Sequence, residues 1–179
     1  MGAGTRGLRR KGMRRPVVVS DSGPLIALAG CGQLGLLNAV FDVIHIPQVV
    51  LDETTADRTR GGDADIVAFV HVHVHVHAQV HPSRDDATYT AMATYLDAGE
   101  AQALSLANAL GCGVIMDERR GRQAATRQGM QLFGVSGVLL QAKRIGEIEH
   151  IAPVLKLIQS NGYRISKALI DEALKLADE

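Results

Sequence analysis

Four carboxylates stand where a parallel α/β sheet would gather them. Asp21 follows the β-branched run Val17-Val18-Val19, and Asp117 follows Val114-Ile115-Met116. Continuous apolar runs of this kind suit strands buried on both faces. Open α/β sheets bind ligands beyond the carboxyl ends of their strands. Glu53 and Glu100 lie on predicted helices that can face the same crevice. Acids brought together without cations repel one another and hold their protons more tightly. A divalent cation resolves that conflict, and hard oxygen donors suit Mg²⁺ or Mn²⁺ rather than zinc. Such an ion acidifies a water and stabilises the oxygens of an in-line phosphoryl displacement. Each acid also has a purely structural reading. Asp21, Asp117 and Glu118 can cap the helices that follow them, and Glu53 can be a solvated helix residue. Glu100 stands three residues after Asp97, the spacing of a capping box.

The elements that would position these residues alternate between strand and helix. Val17–Val19 and Val43–Ile46 read as strands, each followed by a proline at the start of a helix, Pro24 and Pro47. A short helix is expected over 63–69 and a strong one over 97–110, ended by Gly111 and Gly113. The strand at Val114 leads into a basic helix from Arg119 to Gln128. Residues 131–135 read as a short strand, and Ser136 as the cap of the next helix. Two more helices are expected near 152–159 and 167–178. This alternation predicts an α/β fold in three layers, with a central, mainly parallel sheet of four to five strands flanked by helices.

Residues 70–77 alternate strictly between Val and His. A period of two predicts an extra edge strand with His71, His73, His75 and His77 on one face. Such a face can bind a transition metal with His81, Asp85 or Asp86 nearby, or it can simply be solvated.

Composition narrows the class. The chain has 179 residues, enough for one domain with a full core, and its hydrophobic share of 46% excludes a disordered chain. Aromatics are 3% and Trp is absent, which argues against a sheet or barrel that stacks bases. The net charge is zero, yet it divides unevenly. Arg6, Arg9, Arg10, Lys11, Arg14 and Arg15 crowd residues 1–15, leaving 13 basic against 19 acidic residues in the rest. Residues 1–15 read as a disordered basic leader, with a nucleic-acid arm as the alternative. Residues 16–179 read as a single domain whose part from 136 to 179 is helical. Asp21, Ser22 and Pro24 interrupt the only stretch resembling a signal peptide, and no apolar run is long enough to span a membrane. Cys31 and Cys112 are too few for a disulfide framework, so a cytoplasmic location is expected.

The order of the motifs resembles a known family. Val18-Val19-Ser20-Asp21-Ser22-Gly23-Pro24-Leu25-Ile26 is similar to the Asp-Thr-Ser-Pro-Leu-Ile opening of PIN-like domains. Ile46-Pro47-Gln48-Val49-Val50-Leu51-Asp52-Glu53 resembles their second motif. Gly99-Glu100-Ala101-Gln102-Ala103-Leu104 and Val114-Ile115-Met116-Asp117-Glu118-Arg119-Arg120 resemble the third and fourth.

The resemblance, from about residue 17 to 175, implies a metal-dependent endoribonuclease of the VapC toxin type. Asp21, Glu53, Glu100 and Asp117 would then be catalytic and would ligate Mg²⁺ or Mn²⁺, with Glu118 assisting. Ser22, Arg119, Arg120 and Arg122 would contact RNA, since basic groups beside an acidic site can hold phosphates. A small antitoxin protein and a second copy of the chain are the implied partners. Two departures motivate a second reading, a non-catalytic PIN-like module that binds RNA or protein. The third acid is Glu100 where many PIN domains have Asp, and Ile115 stands where a hydroxyl residue is common.

Overall fold

The computed structural model describes residues 16–56, 62–73 and 77–179. The basic leader over 1–15 lies outside the described residues. In chain order the elements are β1 (Val17–Ser20), α1 (Ser22–Gly30), α2 (Gly35–Val40), β2 (Val43–Pro47), α3 (Gln48–Ala56), α4 (Asp63–His73), β3 (Ala78–His81), α5 (Ala87–Met92), α6 (Ala98–Leu110), β4 (Gly113–Ile115), α7 (Arg119–Arg127), β5 (Leu132–Phe133), α8 (Val135–Arg144), α9 (Ala152–Ser160) and α10 (Lys167–Leu176).

The five strands form one sheet in the order β3-β2-β1-β4-β5, and every pairing is parallel. The chain leaves β1 toward β2 and β3 on one side and returns to β4 and β5 on the other. The reversal falls between β1 and β4, which opens a crevice at their carboxyl ends. Ser20 is paired with Ile115, so Asp21 and the acids after β4 leave the sheet at neighbouring places.

Strand alternation separates two cores. Val18, Ile44, Ile46 and Ile115 face a core packed by α1, α2, α4, α8 and α9. Val19 and Val114 face the opposite core, which contains Met92 of α5, Leu104 of α6 and Ala124 of α7. Helix α6 carries Ala and Leu at its inner positions and stops at Gly111, whose φ of 62° is the left-handed conformation glycine adopts freely.

Two expectations are corrected. In its described part the alternating His segment is not an edge strand, because α4 runs on to His73. Ile66, Phe69 and Val70 are buried at helical spacing, and Asp63 and Asp65 sit in the first turn, where acids complement the helix dipole. That stripe overrides the period of two. His71 is exposed, and residues 74–76, with His75, lie outside the described residues. The edge strand is instead β3, ending at His81. Asp86 is occupied as the N-cap of α5 and by Arg84 and Ser105. Ser136 is not a cap either. Gly134 holds that position and Ser136 lies inside α8.

Candidate active site

Three helices begin at the crevice, and each start carries an acid. Asp21 occupies the N-cap position of α1 but makes no capping hydrogen bond, so capping does not account for it. Asp97 caps α6 through the Glu100 amide at 2.8 Å, while Glu100 Oε2 accepts from the Asp97 amide at 3.3 Å. The capping box therefore exists, and it aims Glu100 at the crevice rather than away from it. Glu118 is the N-cap of α7, again without a capping hydrogen bond. A pocket of about 490 Å³ is lined by Asp21, Ser22, Gly23, Ile26, Tyr95, Asp97, Glu100, Glu118, Arg120 and Tyr163. The positive ends of three helix dipoles thus abut an acidic cavity and offset part of its charge.

The electrostatics are those of acids short of cations. Asp21 is 3% exposed. Burial, then the nearby charges of Asp97, Glu100 and Glu53, push its pKa up to about 7, although the Ser22 amide offsets part of the rise. Burial and Asp97 likewise raise Glu100, and the same two causes raise Glu53. Glu53 sits at the exposed edge of the cluster. Its carboxylate accepts from the Ser22 hydroxyl and lies against Gly99, where a Cβ would strike it. Gly121 does the same service for Glu100. A Cβ there would collide with the Met116 sulfur and come within 2.9 Å of Glu100 Oε1.

Asp117 behaves differently. It does not line the acidic pocket. Its carboxylate accepts from the Val135 amide at 3.2 Å and 3.4 Å, and from the Tyr163 hydroxyl at 2.9 Å. Burial raises its pKa despite these bonds. Gly134 makes room for it, since a Cβ there would lie 2.7 Å from Asp117 Oδ1. Burial and the charge of Asp117 hold the Tyr163 hydroxyl far above its ordinary pKa, so it stays a donor.

The basic helix divides as well. Arg120 lines the acidic pocket. Arg119, Arg122 and Arg127 line a second cleft beside Asp117. Arg122 is held structurally, its Nη1 donating to the Met116 carbonyl at 2.8 Å.

The structure thus brings Asp21, Ser22, Glu100, Glu118 and Arg120 together and sets Glu53 alongside. It turns Asp117 and Arg122 to internal contacts. Sequence reasoning missed Tyr95, Asp97 as a pocket residue, and Tyr163. Asp97 was visible only as a cap, and Tyr163 reaches the site from the α9–α10 loop, where no local pattern marks it.

Among the described residues no three His, Cys, Asp or Glu side chains are already gathered tightly enough to hold a metal ion. The donor set nevertheless suits a hard divalent cation. Every candidate is a carboxylate, and the most buried one has its pKa pushed up to about 7 by burial and then by its acidic neighbours, a strain that a bound cation would relieve.

A family profile described as a PIN domain matches residues 17–179, and the chain belongs to that family. The five-stranded parallel sheet in three layers agrees with it. The match supports a function of the nuclease type in general and, with it, RNA binding and divalent metals. A search of curated proteins finds no match. Among the described residues no helix is long and apolar enough to cross a membrane.

Proposed function

We propose that this chain is a metal-dependent endoribonuclease that hydrolyses RNA phosphodiesters. The observation that carries the reading is the juxtaposition of Asp21, Glu100 and Glu118 around one pocket at the β1/β4 switch point, with Asp97 in the wall and Glu53 at the edge. Asp21, Glu100 and Glu118 are the residues to hold Mg²⁺ or Mn²⁺, with Glu53 acting through Ser22 or through water. Asp117 is the organiser that fixes the end of β4 so that Glu118 faces the cavity. When bound, the cation supplies charge stabilisation at the phosphate oxygens and acidifies a water. The chain's own residues do the rest. Arg120 offers a guanidinium to the phosphate in the pocket, and Arg119 extends the positive strip into the second cleft.

The physiological setting we propose is the toxin half of a toxin–antitoxin pair in the cytoplasm, inhibited by a small antitoxin and acting as a homodimer. Exposed Ile145, Leu157, Leu169 and Leu176, all in the segment from α8 to α10, are apolar side chains available to such partners.

The second reading, a non-catalytic binding module, draws on the acids not being gathered to ligand distance. One experiment separates the two. Full-length protein is incubated with unpaired RNA in Mg²⁺ or Mn²⁺, beside Asp21→Asn, Glu100→Gln and Glu118→Gln. Metal-dependent cleavage lost in each variant supports the nuclease. Binding without cleavage in either metal supports the module.

A further inference from the structure

The chain has three Tyr and three Phe, and they are placed unequally. Phe41 and Phe69 are buried, and Phe133 packs against the same core. Tyr89 packs on the second core, and Tyr163 is bonded to Asp117. Tyr163 also lines the acidic pocket, but Tyr95 alone among the six is exposed. It is 43% exposed, and its side chain lines the acidic pocket together with Ile26 and Gly23.

We propose that Tyr95 is the stacking platform for an unpaired nucleobase next to the phosphate held at the acids. The proposal rests on the nuclease reading and deepens it, because it assigns the feature that selects single-stranded substrate.

The mounting of the ring suits that role. Tyr95 lies between two anchors in the core, Met92 and Leu96, each at most 9% exposed. Its amide and that of Leu96 both donate to the Met92 carbonyl, at 3.1 Å and 3.0 Å. Its hydroxyl donates to the Met92 sulfur at 2.8 Å. The polar tip is therefore occupied, and an exposed aromatic surface is what remains for a ligand. Two residues on, Asp97 begins the capping box that fixes Glu100, so the ring and a pocket acid belong to one short rigid turn. Aromatic stacking tolerates any base, because every base presents a π-face. A base inside a duplex is already stacked and paired, so the same ring discriminates against paired RNA.

The test measures binding of a labelled unpaired oligoribonucleotide in Mn²⁺ to full-length protein carrying Asp21→Asn, which keeps the strand intact. Adding Tyr95→Ala or Tyr95→Leu should weaken binding about tenfold, while Tyr95→Phe stays within about twofold. Tyr95→Leu retains an apolar side chain over Met92 and Leu96, so its loss is not one of folding. An oligonucleotide with one base removed beside the bound phosphate should bind the Tyr95 protein about as weakly as the intact strand binds Tyr95→Ala, and should show no further loss on that variant. Equal affinity of all four proteins, or equal loss in Tyr95→Phe and Tyr95→Ala, overturns the stacking role and leaves the nuclease reading standing. Absence of RNA cleavage by the unsubstituted protein overturns that reading, and the proposal with it.

Discussion

The hydroxyl of Tyr163 donates to Oδ2 of Asp117 across 2.9 Å, and this bond ties the loop between α9 and α10 to the end of β4. The two residues are far apart in sequence, and both carboxylate oxygens of Asp117 already accept a hydrogen bond from the fold. Removing the hydroxyl with Tyr163→Phe leaves a buried carboxyl one partner short. A loss of about 1–2 kcal/mol in unfolding free energy is expected. Chemical denaturation measures it, and an unchanged midpoint would show that the bond contributes nothing to the folded state.

Asp21 makes a distinct contribution to the pH dependence of the metal-free protein. Its pKa rises from 3.8 in the open chain to about 7 in the fold, with burial the leading cause. Between those values the folded state binds the proton that the unfolded chain releases, so the contribution of Asp21 to stability is full below about pH 4 and is lost as pH rises through about 7. The swing attributable to Asp21 has an upper bound of about 4 kcal/mol. His45, held down to about 4 by burial and by His81, works in the opposite sense in both proteins, so the test is the difference: from pH 4 to 8 the parent should lose melting temperature relative to Asp21→Asn.

Cation binding should reverse that loss. Mn²⁺ at about a hundred times its dissociation constant adds about 2.7 kcal/mol to a protein that binds it only when folded. The gain should be present at pH 8 and fade by pH 5, where protons occupy the same carboxyls. Glu118→Gln should reduce the Mn²⁺-dependent rise in melting temperature more than Asp117→Asn does. The opposite ranking would return the ligand role to Asp117.

Gly121 invites a substitution that should fail. Alanine in place of a helical glycine ordinarily stabilises by up to about 1 kcal/mol, and Gly121 lies in the first turn of α7. Here the added methyl meets the sulfur of Met116, which is fully buried, and Glu100 Oε1. Overpacking of this kind costs about 1–3 kcal/mol, so the net effect of Gly121→Ala should be destabilising. A melting temperature above that of the parent would show that Met116 can yield.

Arg120 and Arg122 are two positions apart and should fail in different assays. Arg120→Gln should weaken RNA binding and lower the slope of log affinity against log salt by about 1, with stability unchanged. Arg122→Gln removes the donor to the Met116 carbonyl and should appear first in the denaturation curve.

Much of this site was legible in the sequence because strand ends are local signals. Val17–Val19 and Val114–Met116 are short apolar runs with Asp21 and the Asp117-Glu118 pair just beyond them, and the parallel pairing sets these two strand ends side by side. The Asp97–Glu100 capping box was equally plain, although its spacing cannot say that the capped carboxylate also faces a cavity. What stayed hidden depends on tertiary contact. Which of two adjacent acids, Asp117 or Glu118, points into the pocket is decided by the Val135 amide and Tyr163, neither of which is near them in the chain. The His segment misled because a period of two says nothing about burial, whereas Ile66, Phe69 and Val70 settle the conformation through what they cover.

The pairing of Ser20 with Ile115 also fixes a schedule. Parallel strands so distant in sequence cannot meet until the chain between them exists, and non-local pairing of this kind forms slowly. During synthesis Asp21 emerges before β4, yet the cavity it belongs to cannot close until β4 has left the ribosome, nor is Asp117 secured until Tyr163 follows. A nascent chain therefore carries Asp21 without a closed cavity around it until β4 has been made.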